Sequence, residues 1–315
     1  MPINIGSGAI SGAYVGTNAV TAAYLGSTSV FTVDESRLFV AVSDNTSDVA
    51  LSSSDGITWT QRTMPTASEW RAVAYGDGTF VAVTKGSSTI AASSTDGINW
   101  TQRTLPTTGN WQDVTFGDGT FVAVSYDSNV AASSTDGITW TQRTLPANTY
   151  WAGVTYGNGT FVAVAQSGSI AATSTDGATW TQRTLPASAS WYRVKYGGST
   201  FVAVASGSTT AATSSDGITW TQRTLPSSQT WYGLTYGNGT FLAVGYGSDV
   251  AATSTDGITW TSRTLPSSQS WFGATHANGV FVSIVFDSNI AATSPDGATW
   301  TQRSLPTSAR WYGLV

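Results

Sequence analysis

Cysteine is absent from this chain, which excludes disulfides, thiolate metal sites and thiol nucleophiles. Histidine occurs once, at His276, so no His-rich metal pattern is available. Charge is scarce: 10% of residues are ionisable acids or bases, against roughly 25% in an average globular protein. No block of like charge exists, which argues against a nucleic-acid footprint or a polybasic membrane patch. Apolar runs such as residues 161–165 are strand-sized, so no membrane insertion is expected. The first residues show no basic segment followed by an apolar one, and no secretory signal is expected. A phosphate-cradling glycine loop is also missing, and the reading implies no cofactor.

What is present is glycine, serine and threonine, with 14 Trp, 12 Tyr and 11 Phe. A disordered chain would lack those aromatics. The net charge is −5, from 13 basic and 18 acidic residues. A Ser/Thr/Gly-rich surface poor in Lys and Glu suits a protein exposed outside cells.

The segment Ser-x-Asp-Gly-x-x-Trp begins at Ser53, Ser94, Ser134, Ser174, Ser214, Ser254 and Ser294, at spacings of 41 once and then 40. Within each period four strand signals recur. In the copy that starts at Trp151 they are residues 151–156, 160–165, 169–174 and 179–185, here called a, b, c and d. Pro186 is expected to end strand d, since proline cannot donate to a ladder. Four short strands in about 40 residues is the signature of a propeller blade. No helix is indicated.

The first copy begins at strand b, residues 37–42, without a Trp-led strand before it. The chain ends on residues 310–315, a strand a with nothing after it. Pairing of 311–315 beside Phe39 would complete the first blade from both ends and leave no long unpaired edge. The expected fold is therefore all-β: a seven-bladed β-propeller of four-stranded blades over residues 33–315, closed by its C-terminal strand. Residues 1–32 hold two related units, 12–20 and 22–30, each reading as a small hairpin. Isolated hairpins are marginal in water, so this segment is expected to attach the chain to a partner or to neighbouring copies in a homo-oligomer.

The repeated Ser-x-Asp-Gly-x-Thr-Trp resembles the Asp-box of many propellers, sialidases and secreted glycosidases among them, with one residue fewer between the Asp and the Gly. In that family the box is a turn between strands c and d. It implies a structural role for Asp55, Asp96, Asp136, Asp176, Asp216, Asp256 and Asp296. Such an Asp accepts backbone N–H bonds inside its turn, while the Gly supplies a permissive φ and the Trp packs between sheets. The units Tyr14-Val-Gly-Thr17 and Tyr24-Leu-Gly-Ser27 look like short segments of bacteriophage tail and fibre proteins, where tandem Asp-Gly-x-Thr-Trp-Thr repeats also occur. This resemblance implies a virion component, attached to other virion proteins through residues 1–32. Seven-bladed bacterial lectins with Trp-rich repeats are similar in architecture.

Comparison of the copies inside this one chain locates a variable face. The a–b and c–d turns barely change, whereas the d–a and b–c connections, at the opposite end, change freely. Loops on a rigid scaffold are where binding sits. Every d–a connection ends at a Trp, followed in turn by Arg71, Gln112, Ala152, Tyr192, Tyr232, Phe272 and Tyr312. The fifth residue after the strand-b Phe is Asp44, Lys85, Tyr126, Gln166, Ser206, Tyr246 or Phe286. Aromatic faces beside Asn, Asp and Ser suit sugar rings, so the candidate ligand-binding set is Trp111, Tyr126, Trp151, Tyr192, Tyr232, Tyr246, Trp271, Phe286 and Tyr312. The competing reading of the Trp set is packing between blades. Single sites of this kind are weak, and repetition would raise avidity.

Catalysis needs unlike ionisable groups at one place. Arg62, Arg103, Arg143, Arg183, Arg223, Arg263 and Arg303 share one strand-d position and are spread by the repeat. His276 stands where other copies carry Tyr156 and Tyr236, as a structural substitute. Glu69 and Arg310 hold the same repeat position and are expected to pair across the closure. The sequence thus predicts no enzyme but a tail-associated receptor-binding or decoration protein contacting host-surface polysaccharide. The alternatives are a purely structural virion propeller, a bacterial lectin and, least favoured, a polysaccharide-degrading enzyme.

Overall fold

The structure, a computed structural model, describes residues 38–315 and the backbone of residues 22–25 and 28–32. The chain divides between Arg37 and Leu38 into two units. In the first, Ala22–Leu25 pairs antiparallel with Thr28–Thr32, Leu25 opposite Thr28, with a bulge between Ala23 and Tyr24. The other hairpin unit, 12–20, lies outside the described residues.

In the second unit every described regular element is a strand. The copy from Trp151 forms a four-stranded antiparallel sheet in chain order: Trp151–Gly157, Thr160–Ala165, Ile170–Ser174 and Thr181–Thr184. Its a–b connection needs left-handed backbone at two successive residues, and Asn158 and Gly159 supply it with φ of 47° and 73°. Asp77-Gly78, Asp118-Gly119, Asn238-Gly239 and Asn278-Gly279 do the same, which is the two-residue hairpin turn that Asn-Gly and Asp-Gly favour.

Pro186 lies just past the end of its own strand d, as expected, but proline does not end strand d in every copy. Thr181–Thr184 stops before Pro186, but Thr101–Gly117 runs through Pro106 and continues into the next strand a, as Thr221–Gly237 does through Pro226. Strand d pairs only with strand c, so its other edge has no ladder for proline to break. The register also slips there, with Ser128 opposite Thr149 but Val130 opposite Thr144, leaving Pro146 in a bulge.

The Ser-Asp-Gly segment closes each c–d turn. Asp136 Oδ1 accepts the N–H groups of Ile138 and Thr139, both at 2.8 Å, and the Ser134 hydroxyl at 2.9 Å. Gly137 has φ of 68°, and a Cβ there would lie 2.6 Å from Val81 of the preceding repeat. All seven carboxyls are held below the usual range, Asp176 at about 2. In six the N–H three residues on is the largest cause; at Asp96 slight burial pushes upward hardest, yet the Asn99 and Ile98 bonds outweigh it.

Adjacent repeats pack face to face. Val122, Val124 and Leu145 of one repeat and Trp151, Phe161 and Trp180 of the next share one apolar cluster. Gly157 lets Tyr196 lie flat against the backbone, since a Cβ would fall 1.9 Å from its ring. The first and last copies meet through the same contacts. Gly56 abuts Val282 as Gly137 abuts Val81, and Asn278 Nδ2 donates to Ser54 O at 2.9 Å as Asn238 Nδ2 does to Pro295 O at 3.2 Å. Trp311 pairs with Ser43 and Leu314 with Ala41, and Val40 and Val315 exchange backbone bonds of 3.1 and 3.0 Å.

Candidate ligand site at the variable end

The residue after each strand-a Trp is aimed by a break in register. Trp151 opposes Ala165 and Gly153 opposes Val164, which leaves Ala152 unpaired, and the same shift recurs at Trp70, Trp111, Trp191, Trp231, Trp271 and Trp311. A bulge of this kind re-aims the extra side chain. The Trp itself turns the other way. All seven indoles are fully buried, and each Nε1 donates to a backbone carbonyl, as Trp151 does to Ala147 O at 3.1 Å and Trp311 to Ser288 O at 3.0 Å. Trp111, Trp151 and Trp271 therefore present no face to a ligand, a correction to their place in the candidate set: their surface is spent between sheets.

The residues that follow them converge. Tyr192, Tyr232, Phe272 and Tyr312, from successive repeats, form a staircase with ring centroids 4.3, 4.9 and 4.0 Å apart. Tyr246 and Phe286 pack on its outer side, 5.3 Å from Tyr232 and 5.8 Å from Phe272. Five of the candidates, Tyr192, Tyr232, Tyr246, Phe286 and Tyr312, thus join Phe272 in one cluster. Within it Tyr192, Phe272 and Tyr312 are each 4% exposed, while Tyr232, Tyr246 and Phe286 remain partly exposed; Tyr126, also partly exposed, packs instead on Tyr150 at 5.0 Å.

Opposite the staircase the same repeat positions carry polar groups. Asp44, 2% exposed, receives Arg71 Nη1 on one oxygen at 2.7 Å. Lys85 Nζ stands 2.8 Å from the other as a charge contact, not an aligned hydrogen bond. Arg71 Nε donates to Gln112 Oε1 at 3.0 Å, and its guanidinium lies 3.2 Å over the Tyr312 ring. Gln112 Nε2 reaches the hydroxyls of Tyr312 and Tyr192, which bond each other. Burial, reinforced by Tyr192, pushes the Tyr312 phenol well above its ordinary value despite Arg71 and Arg193. Between the two halves opens a cavity of about 310 Å³, walled by Arg71, Lys85, Asn110, Gln112, Tyr126, Gln166, Tyr192 and Tyr232. Tyr126 donates to Gln166 Oε1 at 2.7 Å on its rim, and burial raises the Tyr126 and Tyr232 phenols.

Beside the cluster lies a pair that sequence reasoning missed. Two residues after the Trp, Gly153, Gly233 and Gly313 allow neighbouring strands a to approach: a Cβ would meet Tyr192 O, Phe272 O or Ala72 Cα at 2.8–3.0 Å. Asp113 and Arg193 occupy this position in their repeats, with Arg193 Nη1 3.8 Å from Asp113 Oδ2. The same Oδ2 accepts Val154 N at 3.0 Å, and Arg193 Nε donates to Tyr232 O at 3.0 Å. Burial raises the Asp113 carboxyl against the pull of Arg193. Burial also works against the Arg193 cation, but Asp113 and the tyrosines outweigh it and raise its pKa. The signal was a charged residue at a position where the other copies hold glycine or, at Ala72, alanine.

Other expectations resolve locally. Each strand-d arginine bonds a hydroxyl diagonal to it on strand c, as Arg143 Nε does Ser133 Oγ at 2.8 Å. His276 packs on Phe281 at 4.7 Å, the separation of Tyr236 from Phe241, and its ring abuts Gly237 as Tyr196 abuts Gly157. Burial lowers its pKa, and its Nε2 has no hydrogen-bond partner. Glu69 and Arg310 do not pair; Arg310 lies 6.0 Å over Phe286, its register partner, which draws it along its own sheet. Among the described residues no group of three or more His, Asp or Glu gathers as a metal site.

A family model described as the DUF6242 beta propeller domain matches residues 63–192, less than half of the chain. No curated protein matches. Among solved structures, virginiamycin B lyase from Staphylococcus aureus is 14% identical with a TM-score of 0.68, covering 76% of this chain and 85% of its own. YCF48 from Cyanidioschyzon merolae is 17% identical at 0.60, covering 80% and 90%. Apo AztD from Citrobacter koseri is 13% identical at 0.55, covering 93% of each. These likenesses show the fold, a β-propeller, and one of the neighbours is an enzyme.

Proposed function

We propose that the chain is a seven-bladed propeller, completed by pairing of residues 311–315 in the first blade, that binds a cell-surface saccharide at its variable end without turning it over. The observation that carries this reading is the cavity itself. Tyr126, Tyr192 and Tyr232 stand with the amides of Asn110, Gln112 and Gln166 around about 310 Å³, a predominantly polar lining whose hydroxyl and amide groups converge on one space. Such groups exchange hydrogen bonds with the hydroxyls of a sugar. Hydrolysis of a glycoside calls for two carboxylates about 5–10 Å apart; no carboxylate lines this cavity, and Asp44 is engaged by Arg71 and Lys85. The Asp-box-like turns and the N-terminal units favour a virion: a bacteriophage tail-associated receptor-binding or decoration protein, joined to other virion proteins through residues 1–32.

The test is calorimetric titration of the full chain against a panel of bacterial surface polysaccharides, with Tyr126→Ala and Tyr232→Ala. Binding weakened at least tenfold by either change supports the reading. A folded protein that binds no member of the panel refutes it and favours the structural virion propeller. That rival has one observation of its own: Tyr192, Phe272 and Tyr312 are nearly buried against each other.

A further inference from the structure

Seven of the 13 basic residues are the strand-d arginines, each tied to its own sheet; the others are Arg37, Arg71, Lys85, Arg193, Lys195 and Arg310. Two of these six, Arg71 and Lys85, line the cavity, and no acid joins them on its wall. Their shared counter-ion Asp44 is 2% exposed and offsets one of the two charges, and Glu69 stands beside Gly86, next to Lys85, so the wall carries at most one net positive charge. In a chain of net charge −5 this is not a general surface property.

The two cations have different parts. Arg71 is fixed by Asp44, by Gln112 and by stacking on Tyr312, so its orientation is set before any ligand arrives. Lys85 keeps 28% of its side chain exposed and spends one contact on Asp44, leaving ammonium donors for the cavity.

We propose that the saccharide bound here is an acidic one, carrying a single negative charge on the unit seated against Lys85 and Arg71: a uronic acid or a sulfate ester. The inference rests on the saccharide reading above. A phosphate monoester, with a charge of about −1.5 to −2 at pH 7, exceeds what the wall balances. The aromatic and amide groups take the ring, and the cationic pair selects for the anion through charge-assisted hydrogen bonds.

The test titrates the full chain with tetramers of galacturonate, mannuronate and hyaluronan, each as the acid and as its neutral methyl ester, beside dextran sulfate and neutral dextran. The expected result is binding of at least one acid, its ester binding at least tenfold more weakly. Lys85→Gln should weaken the acid about tenfold, as loss of one charge-assisted contact implies, and weaken the ester distinctly less. Binding of dextran sulfate alone assigns the anion as a sulfate ester. An ester or neutral glycan bound as tightly as its acid, or an acid indifferent to Lys85→Gln, overturns the acidic specificity while the saccharide site stands. Absence of binding to every acid, ester and neutral glycan, including the bacterial panel, removes both. The acid–ester comparison uses the unmodified protein, so it holds whether or not the variant folds.

Discussion

Replacing Trp311 by alanine tests whether the last five residues close the ring as proposed. The indole is fully buried among Phe39, Trp59, Val282, Leu305 and Ala309, residues of the first and last repeats. It also donates to Ser288 O at 3.0 Å. A buried Trp removes roughly 150–250 Å² from water, worth about 4–6 kcal/mol at 25 cal/mol per Å²; measured Trp→Ala changes in cores cost about 3–5 kcal/mol. The internal control is Trp151→Ala, whose indole sits between two repeats that are contiguous in sequence and has the same burial and a matching bond to Ala147 O. If the terminal strand is docked as firmly as any other, both variants lose about 3–5 kcal/mol, and at ~2–3 °C per kcal/mol the midpoint falls by roughly 6–15 °C. Differential scanning calorimetry reads this without the tryptophan signal that the substitutions alter. A Trp311→Ala midpoint within about 2 °C of the unmodified protein, beside a large loss for Trp151→Ala, would refute closure through residues 311–315, because a frayed terminal strand contributes little to cooperative unfolding.

Three further outcomes follow from the turns and the buried groups. The seven turn carboxyls have lowered pKa values, so their contribution is full above the unfolded value near 4 and is lost as pH falls through the folded one, about 2 at Asp176; the melting temperature should drop steeply between about pH 4 and pH 2. Asp136→Ala removes two N–H bonds from one such exposed turn and should cost about 1 kcal/mol in urea denaturation at pH 7, with a shallower acid transition. His276→Tyr places on Gly237 the ring that Tyr196 places on Gly157 and removes an unpartnered Nε2, so stability should rise by roughly 1 kcal/mol. The lowered His276 pKa adds a sign: the unfolded chain takes the proton first, so stability falls as pH drops below about 6.5, and that portion should vanish in His276→Tyr.

The strand pattern was legible because each repeat states it in two independent ways. Alternating β-branched residues mark the strands, and Asn-Gly or Asp-Gly marks the hairpin between a and b; the observed strands of the Trp151 copy begin and end within two residues of the expected bounds. The expectation for Pro186 held in its own copy, but a missing N–H is not a universal strand stop. Its cost depends on whether the strand has a second partner, which is a property of the sheet and not of the segment. His276 was legible for the opposite reason: its register within the repeat fixed its neighbours, and Phe281 and Gly237 meet it as they would a tyrosine.

Of the nine candidate residues read from the sequence, Tyr126, Tyr192 and Tyr232 line the cavity, and its polar members were not among them. Variation among copies marked the residue after each Trp and the fifth after each strand-b Phe, and these positions line most of the cavity. What variation could not show is the bulge that sends a Trp and its successor in opposite directions. Chemically, Trp151 and Tyr192 are equally good sugar platforms; one residue of register buries the first between sheets and turns the second toward Tyr312. Nor does the repeat reveal that seven positions far apart in sequence reach one another. Asp44 thereby meets two cations from the next repeat, and Gln112 meets a tyrosine 200 residues away. Repetition makes the scaffold, and convergence at the variable end gathers these positions around one asymmetric cavity, aromatic on one side and charged on the other. A single substitution there alters one wall of a shared cavity, so Lys85→Gln and Tyr232→Ala made together should show a coupling of about 0.5–3 kcal/mol in saccharide affinity. Two independent sites would instead give additive losses, and additivity within about 0.3–0.5 kcal/mol would rule the shared cavity out.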